Sequence, residues 1–190
     1  MKDSKCIIIG ASTGGPTALG EILKQLPGDL NAIVVVVQHI GSVLAETMAA
    51  RLDGITEMPV SIIKGGEKLE KSNIYVVPAA KHMFVIYPGP EAVLIPAPER
   101  PSPSINMSFT SAAEHFGSNT IGVILTGMGN DGTGGATAIK QAGGIVIAQD
   151  EDTSAVYGMP KSIVEEDLAD SVLPLEKIAD RLIYLVNKEQ

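Results

Sequence analysis

The sequence predicts a single α/β domain, built on a doubly wound, mostly parallel sheet with helices on both faces and an antiparallel hairpin at one edge. Apolar runs at 6–10, 32–38 and 120–126 lack the alternation of half-exposed strands, which is typical of strands buried on both faces. Helical patterns separate these runs, in the order that a parallel sheet requires. The length of 190 residues suits one domain with a full apolar core.

The first 55 residues predict a strand–helix–strand–helix unit. The runs CIIIG (6–10) and AIVVVVQ (32–38) are the strands, and Pro16 opens the helix between them. One face of this helix carries Leu19, Ile22, Leu23 and Leu26. A second helix carries Leu44, Met48 and Leu52 on one apolar stripe.

The middle of the chain predicts short strands at 60–64, 73–78, 82–87 and 92–96. Pro88-Gly89-Pro90-Glu91 lies between the last two, which indicates a hairpin at the sheet edge. A proline-rich surface loop follows at 95–104. Ser104 then caps a helix whose apolar face carries Ile105, Phe109, Ala112, Ala113 and Phe116.

The last third returns to the β–α–β order. A strand at 120–126, a glycine-rich loop, a helix that reaches Gln141 and a strand at 144–149 follow one another. A C-terminal amphipathic helix carries Ile178, Leu182 and Leu185.

Composition excludes several classes of protein. The net charge of −8 argues against a nucleic-acid partner, which would need a basic face. The longest aliphatic run, 32–37, is far shorter than the ~20 residues of a membrane span, so we expect no membrane insertion. No secretory signal is visible, which favours a cytoplasmic protein, and the single cysteine, Cys6, fits core packing.

A candidate nucleophile follows the first strand. Gly10-Ala11-Ser12-Thr13-Gly14 matches the G-x-S-x-G turn, which exposes a serine hydroxyl beside the N–H groups of a helix N-terminus. The alternative is that Ser12 only caps that helix. An α/β-hydrolase is a poor fit, because its nucleophile turn comes after several strands and not after the first.

His39 is the candidate base, because it ends the second buried strand at the same sheet edge as Ser12. His82, at the start of the hairpin, and His115, beside the apolar face of a helix, fit structural roles. Two carboxylates could orient His39, namely Asp131 in the glycine-rich loop and Asp150 after the next strand. Local sequence does not choose between them.

The glycine-rich loop also allows a different function. Gly127, Gly129 and Gly132 form G-x-G-x-x-G between a strand and a helix, and Asp150 follows at the distance of a ribose-binding acid. This pattern predicts a dinucleotide-binding domain. Against it, Asp131 within the loop would repel a pyrophosphate, and the motif opens the last β–α–β unit and not the first.

Six segments in order resemble the catalytic domain of the chemotaxis receptor protein-glutamate methylesterases, the CheB family. They are IIIGASTGGP, QHI, PAAKHM, PSINMSF, GVILTGMGNDG and AQDEDTSAVYGMP. The resemblance implies one methylesterase catalytic domain over residues 1–190, which removes methyl groups from glutamate methyl esters on the cytoplasmic helices of receptors and releases methanol. Related enzymes also deamidate receptor glutamines.

The resemblance also implies roles for matching residues: Ser12 as nucleophile, His39 as base and Asp131 as acid, which chooses Asp131 over Asp150. The backbone N–H of Met128 matches a position of the oxyanion hole, and Thr13 matches a neighbouring hydroxyl. No metal and no organic cofactor are implied. The sequence agrees, since it contains no His/Cys/Asp cluster with metal-ligand spacing.

Three departures from the family pattern concern partners. Members usually carry a phosphorylatable receiver domain ahead of the esterase, but only five residues precede Cys6, so we expect no receiver domain here and look for one in a longer or separate protein. Gly41-Ser42 replaces a common proline pair, and Ser102 stands where a basic residue is common. A non-catalytic receptor-docking module is a separate alternative, although the intact set of Ser12, His39 and Asp131 argues against it.

Overall fold

The computed structural model describes residues 4–78, 81–86, 91–96 and 103–188. Seven strands form the main sheet of these residues. They are β1 (Lys5–Ala11), β2 (Ala32–Gln38), β3 (Val60–Ile62), β5 (Asn73–Val76), β8 (Thr120–Ile124), β9 (Ile145–Gln149) and β10 (Ser171–Leu173). A smaller sheet contains β4 (Glu67–Lys68), β6 (Lys81–Ile86) and β7 (Glu91–Pro96).

The main sheet is parallel throughout, in the order β10-β9-β8-β1-β2-β5-β3. From β1 the chain first adds strands on one side, through β2, and later adds β8 on the other side. β1 therefore stands at the switch point of the sheet, where the carboxyl ends of neighbouring strands leave a crevice for ligands.

Helices cover both faces of this sheet. One face holds α1 (Gly15–Leu23), α2 (Ser42–Asp53) and α6 (Leu175–Asn187), and the other holds α3 (Ile105–Phe116), α4 (Thr133–Gln141) and α5 (Met159–Glu165). Successive residues of β1 point to opposite faces: Ile7 and Ile9 join the first apolar cluster, and Cys6 and Ile8 join the second. The predicted fold class is confirmed.

The antiparallel hairpin of β6 and β7 forms, but in the smaller sheet, whose order is β4-β7-β6. Met83 and Ala92 are buried in the same apolar cluster as Ile105 and Phe109 of α3. This packing draws the hairpin over the helical face and not along the edge strand β3. Residues 88–90 of the predicted turn at 88–91 lie outside the described residues, and Glu91 begins β7. The middle of the proline-rich loop, 97–102, also lies outside the described residues.

The positions of Ser104, Leu26 and Leu44 agree to different degrees with the helices predicted from the sequence. Ser104 caps α3 as predicted, since its hydroxyl accepts from the N–H of Met107. Leu26 lies beyond the end of α1, although it is fully buried. Of the predicted apolar stripe of α2, Met48 and Leu52 are buried, whereas Leu44, in the first turn, is 60% exposed.

Two further observations concern membrane-spanning helices and metal-binding groups. Among residues 4–78, 81–86, 91–96 and 103–188, no helix has the length and apolar character needed to cross a membrane. The same residues include no group of three or more His, Cys, Asp or Glu side chains that could hold a metal ion.

Candidate active site

Ser12 lies in the tight turn that joins β1 to α1. Its N–H donates to the carbonyl of Thr126 (3.0 Å), and its carbonyl accepts from the N–H of Gly15 (2.8 Å). Gly14 has φ +83°, a left-handed conformation that favours glycine. Within the described residues the Ser12 hydroxyl makes no hydrogen bond. The turn is therefore held by its backbone, and the hydroxyl remains available for chemistry.

Gly127 allows the glycine-rich loop to approach this turn closely. A Cβ atom at position 127 would lie 2.4 Å from the sulfur of Met159 and 2.7 Å from the Cβ of Ser12. Because real Cβ atoms do not approach other atoms so closely, only glycine fits between the loop and the serine.

Gln38, the last residue of β2, joins the Ser12 turn to His39. Its Nε2 donates to the carbonyl of Ser12 at 2.8 Å and to the carbonyl of His39 at 3.1 Å. The residue is only 2% exposed, so water competes little for these hydrogen bonds. Sequence reasoning treated Gln38 as a strand residue. The one signal it offered was a polar residue at the end of an apolar run.

His39 follows β2 directly, and its N–H donates to the carbonyl of Ala11 (3.0 Å) beside the Ser12 turn. Its Nε2 lies 2.8 Å from Oδ2 of Asp131. An ionised carboxylate can only accept a hydrogen bond, so Nε2 carries the hydrogen of the neutral ring and Nδ1 carries the free lone pair. The imidazole can therefore take up a proton at Nδ1.

Asp131 belongs to the glycine-rich loop but lies at the N-terminus of α3. The N–H of Ile105 donates to its Oδ2 (2.8 Å) and the N–H of Asn106 donates to its Oδ1 (3.0 Å), and the helix dipole favours a negative charge there. Burial raises the pKa of Asp131, but the hydrogen bonds from His39, Asn106 and Ile105 lower it more, so the pKa lies below its ordinary value. The carboxylate is thus ionised at neutral pH and can orient His39.

Met128 and Thr13 flank Ser12 on different loops. In the described part of the chain, the backbone N–H groups of both residues donate to no protein acceptor. The side chain of Met128 is 71% exposed, and the carbonyl of Thr13 accepts from the buried hydroxyl of Thr126 (2.9 Å). Free backbone donors close to a nucleophile can stabilise an oxyanion.

His82, His115 and Cys6 make contacts different from those of His39. Nδ1 of His82 accepts from the N–H of Ser104 (3.0 Å), and the ring of His115 meets that of Phe116 edge to face. Burial lowers the pKa of His115. Burial also raises the pKa of Cys6 to about 12, so its thiol stays protonated and is no nucleophile.

The geometry does not suit a dinucleotide. Oδ1 of Asp150 accepts from the N–H and the hydroxyl of Thr153 (3.1 and 2.6 Å), so this carboxylate closes its own turn. The N–H of Gly132 donates to Asn106, and the N–H of Gly127 donates to Val156. Asp150 is thus engaged in its own turn, and the N–H groups of two of the three motif glycines are already bonded, which argues against the dinucleotide interpretation.

Three groups meet at the carboxyl ends of neighbouring strands. A serine in a tight turn follows β1, an imidazole follows β2, and the loop after β8 carries an ionised carboxylate that is hydrogen-bonded to that imidazole. A hydroxyl, a base and an orienting carboxylate are the groups needed for nucleophilic acyl transfer. No organic or metal group is required by this chemistry.

Comparison with a family model matches residues 7–182 to the CheB methylesterase family. A Burkholderia thailandensis protein-glutamate methylesterase/protein-glutamine glutaminase is 43% identical over 97% of this chain and 54% of its own length. The proteins of the same name from Moorella thermoacetica and Thermotoga maritima are 44% and 41% identical, and the matches cover 44% and 54% of their lengths. The chain spans about half the length of the curated relatives it matches.

Among solved structures, the crystal structure of the Thermotoga maritima CheB methylesterase catalytic domain matches with a TM-score of 0.91 and 40% sequence identity. The match covers 96% of this chain and 99% of that domain. The likeness thus extends over the whole sheet and both helical layers.

Proposed function

Since the chain belongs to the CheB methylesterase family, we propose that it is a serine hydrolase that removes methyl groups from glutamate methyl esters of chemotaxis receptors. The observation that carries the proposal is the 2.8 Å hydrogen bond between His39 and Asp131, beside the turn of Ser12. In this proposal Ser12 is the nucleophile, His39 the base and Asp131 the orienting acid. Met128 supplies an oxyanion-hole N–H, and Thr13 supports the site.

The first half of the reaction forms a glutamyl-enzyme. The Ser12 oxygen bonds to the ester carbonyl carbon while Nδ1 of His39 takes the hydroxyl proton. The ionised Asp131 stabilises the imidazolium, and the N–H of Met128 stabilises the negative carbonyl oxygen. When the carbon–methoxy bond breaks, His39 returns the proton to the leaving oxygen and methanol departs.

The second half hydrolyses that intermediate. His39 takes a proton from water, and the water oxygen bonds to the carbonyl carbon. The bond to Ser12 then breaks, and His39 returns the proton to the serine oxygen. The products are a glutamate carboxylate and the regenerated serine. The same steps applied to a glutamine amide release ammonia, and we propose this deamidation as a second activity.

The proposed partners are the cytoplasmic helices of methyl-accepting chemotaxis receptors, and the proposed location is the cytoplasm. A receiver domain, in a longer or separate protein, is the proposed regulator. The proposal involves no nucleic acid, no membrane insertion and no cofactor.

The decisive experiment measures methanol released from receptor membranes that carry glutamate methyl esters. The purified protein should release methanol, and Ser12→Ala should lower the rate by ~10³-fold or more because the nucleophile is lost. Ser61→Ala is the matched control, since Ser61 is exposed on β3, away from the three loops of the site.

Circular dichroism and thermal melting establish that the variants are folded. Unchanged turnover in folded Ser12→Ala would refute the hydrolase. If the parent protein binds receptor membranes but releases no methanol, the alternative of a non-catalytic docking module is correct.

A further inference from the structure

Asn106 makes hydrogen bonds that join two helices beside Asp131. Its Oδ1 accepts from the N–H of Gly132 and from the N–H of Gly135, each at 2.9 Å. Gly132 is the N-cap of α4 and Gly135 lies in its first turn. The side chain of a residue in α3 therefore caps the N-terminus of α4.

The capping is reciprocal. Asp131, which directly precedes Gly132, accepts from the N–H groups of Ile105 and Asn106 in the first turn of α3. Two backbone N–H groups at the start of α3 thus donate to the side chain of Asp131, just before α4. Two at the start of α4 donate to the side chain of Asn106, in α3. A shift of one helix start relative to the other would strain these four hydrogen bonds together.

Close packing makes this arrangement rigid. A Cβ atom at Gly135 would lie 2.4 Å from the Cβ of Phe109 and 2.9 Å from the carbonyl oxygen of Asn106. Gly132 has φ +113°, so the backbone directly after Asp131 has a conformation that glycine adopts readily and other residues rarely adopt. The position of Asp131 is consequently fixed through the start of α4.

We propose that Asn106 is a positioning residue, which holds the Asp131 carboxylate in hydrogen-bonding contact with His39. It acts through the glycine-rich loop, to which its side chain is hydrogen-bonded. The inference rests on the proposed hydrolase, because its effect on turnover passes through Asp131. The reciprocal capping of α3 and α4, on which the inference also depends, can be measured without any substrate.

The test compares Asn106→Ala, which removes the acceptor, with Asn106→Asp, which keeps an acceptor oxygen in the same place. Since misplacing a catalytic group by about 1 Å can cost ~10²-fold, Asn106→Ala should lower kcat by ~10²-fold with little change in KM. Asn106→Asp should restore kcat to within a few-fold of the parent. Asn73→Ala is the matched control, since the side chain of Asn73 also makes a hydrogen bond to the backbone, donating to the carbonyl of Lys71 at the start of β5.

Amide hydrogen exchange, followed by NMR, provides the substrate-free measurement. The N–H groups of Gly132 and Gly135 should be protected in the parent and in Asn106→Asp, and should exchange faster in Asn106→Ala. If Asn106→Ala does not fold, Asn106→Ser replaces it, because the shorter hydroxyl side chain cannot serve both N–H groups.

The outcomes separate the two proposals. If Ser12→Ala retains its activity, the hydrolase is refuted, whatever Asn106 does. If Ser12→Ala is inactive but folded Asn106→Ala keeps full kcat, the positioning role is overturned. It is also overturned if Asn106→Asp is as slow as Asn106→Ala while the two glycine N–H groups stay protected.

Discussion

Asp131 is a charged residue in a largely buried place, and its surroundings explain why the charge is tolerated. Transfer of a carboxylate out of water is costly unless hydrogen bonds replace the lost hydration. Here two backbone N–H groups of α3 and the ring of His39 provide them. The helix N-terminus thus supplies fixed positive charge, and the carboxylate stays ready to stabilise an imidazolium.

The two candidate acids, Asp131 and Asp150, should respond differently to substitution. Asp131→Asn should lower methanol release by ~10⁴-fold, because a neutral amide cannot stabilise the imidazolium or fix its tautomer. Asp150→Asn should be mild, since Asp150 only closes a turn with Thr153. Equal losses in the two variants, measured with receptor membranes, would contradict the assignment of the acid.

Asp131 also links folding stability to pH. Its pKa is lower in the folded protein than its ordinary value of 3.8, so its ionised form stabilises the fold above that value. This stabilisation is lost as the pH falls through the folded pKa. The difference in unfolding free energy between the parent and Asp131→Asn should therefore be level above about pH 5 and shrink below about pH 4.

Urea unfolding at a series of pH values measures this difference. A difference that grows toward acid would mean that the folded protein favours the protonated carboxyl group, contrary to the hydrogen bonds seen around it.

At the scale of elements, the first turn of α2 is unusual. Val43 and Leu44 are 75% and 60% exposed, although they lie only four and five residues after His39. Helices of globular proteins normally turn such side chains toward the core. Exposed apolar groups beside a site are suited to contact a protein substrate.

We expect Val43→Ser/Leu44→Ser to lower kcat/KM on receptor membranes by about 10-fold, since loss of two such contacts costs on the order of 1–2 kcal/mol. Hydrolysis of a small soluble ester should be unchanged. The control is Ile55→Ser, which removes an exposed apolar side chain just beyond the opposite end of the helix. Equal losses on both substrates would show damage to the site and not to docking.

The strength of local signals decided which elements could be predicted. β1, β2, β8 and β9 are strong apolar runs, and Ser104 marks the start of α3 with a capping side chain. β4, β10 and α5 have two, three and seven residues, too few for a clear periodicity, and they were not predicted. The placement of the hairpin depended on packing against α3, which no local pattern encodes.

At the scale of the molecule, the sequence predicted that Ser12 and His39 lie at the same edge of the sheet, because the strands before them are consecutive. It could not choose between Asp131 and Asp150 without the resemblance, because the choice depends on which strand lies beside β1. That neighbour is β8 and not β9. Gln38 and Asn106 gave no signal, since their roles arise only from the contacts of the folded chain.

The pairing of β1 with β8 joins parts of the chain that are far apart in sequence, and this sets the time at which activity can appear during synthesis. A nascent chain that ends before residue 120 contains Ser12 and His39. It lacks the Thr126 carbonyl that holds the serine turn and the carboxylate that orients the base. At roughly 5–20 residues per second, the ribosome needs roughly 5–18 s to extend the chain from residue 39 to residue 131. Throughout that interval the three proposed catalytic groups are not yet assembled, so the proposed ester hydrolysis is not expected.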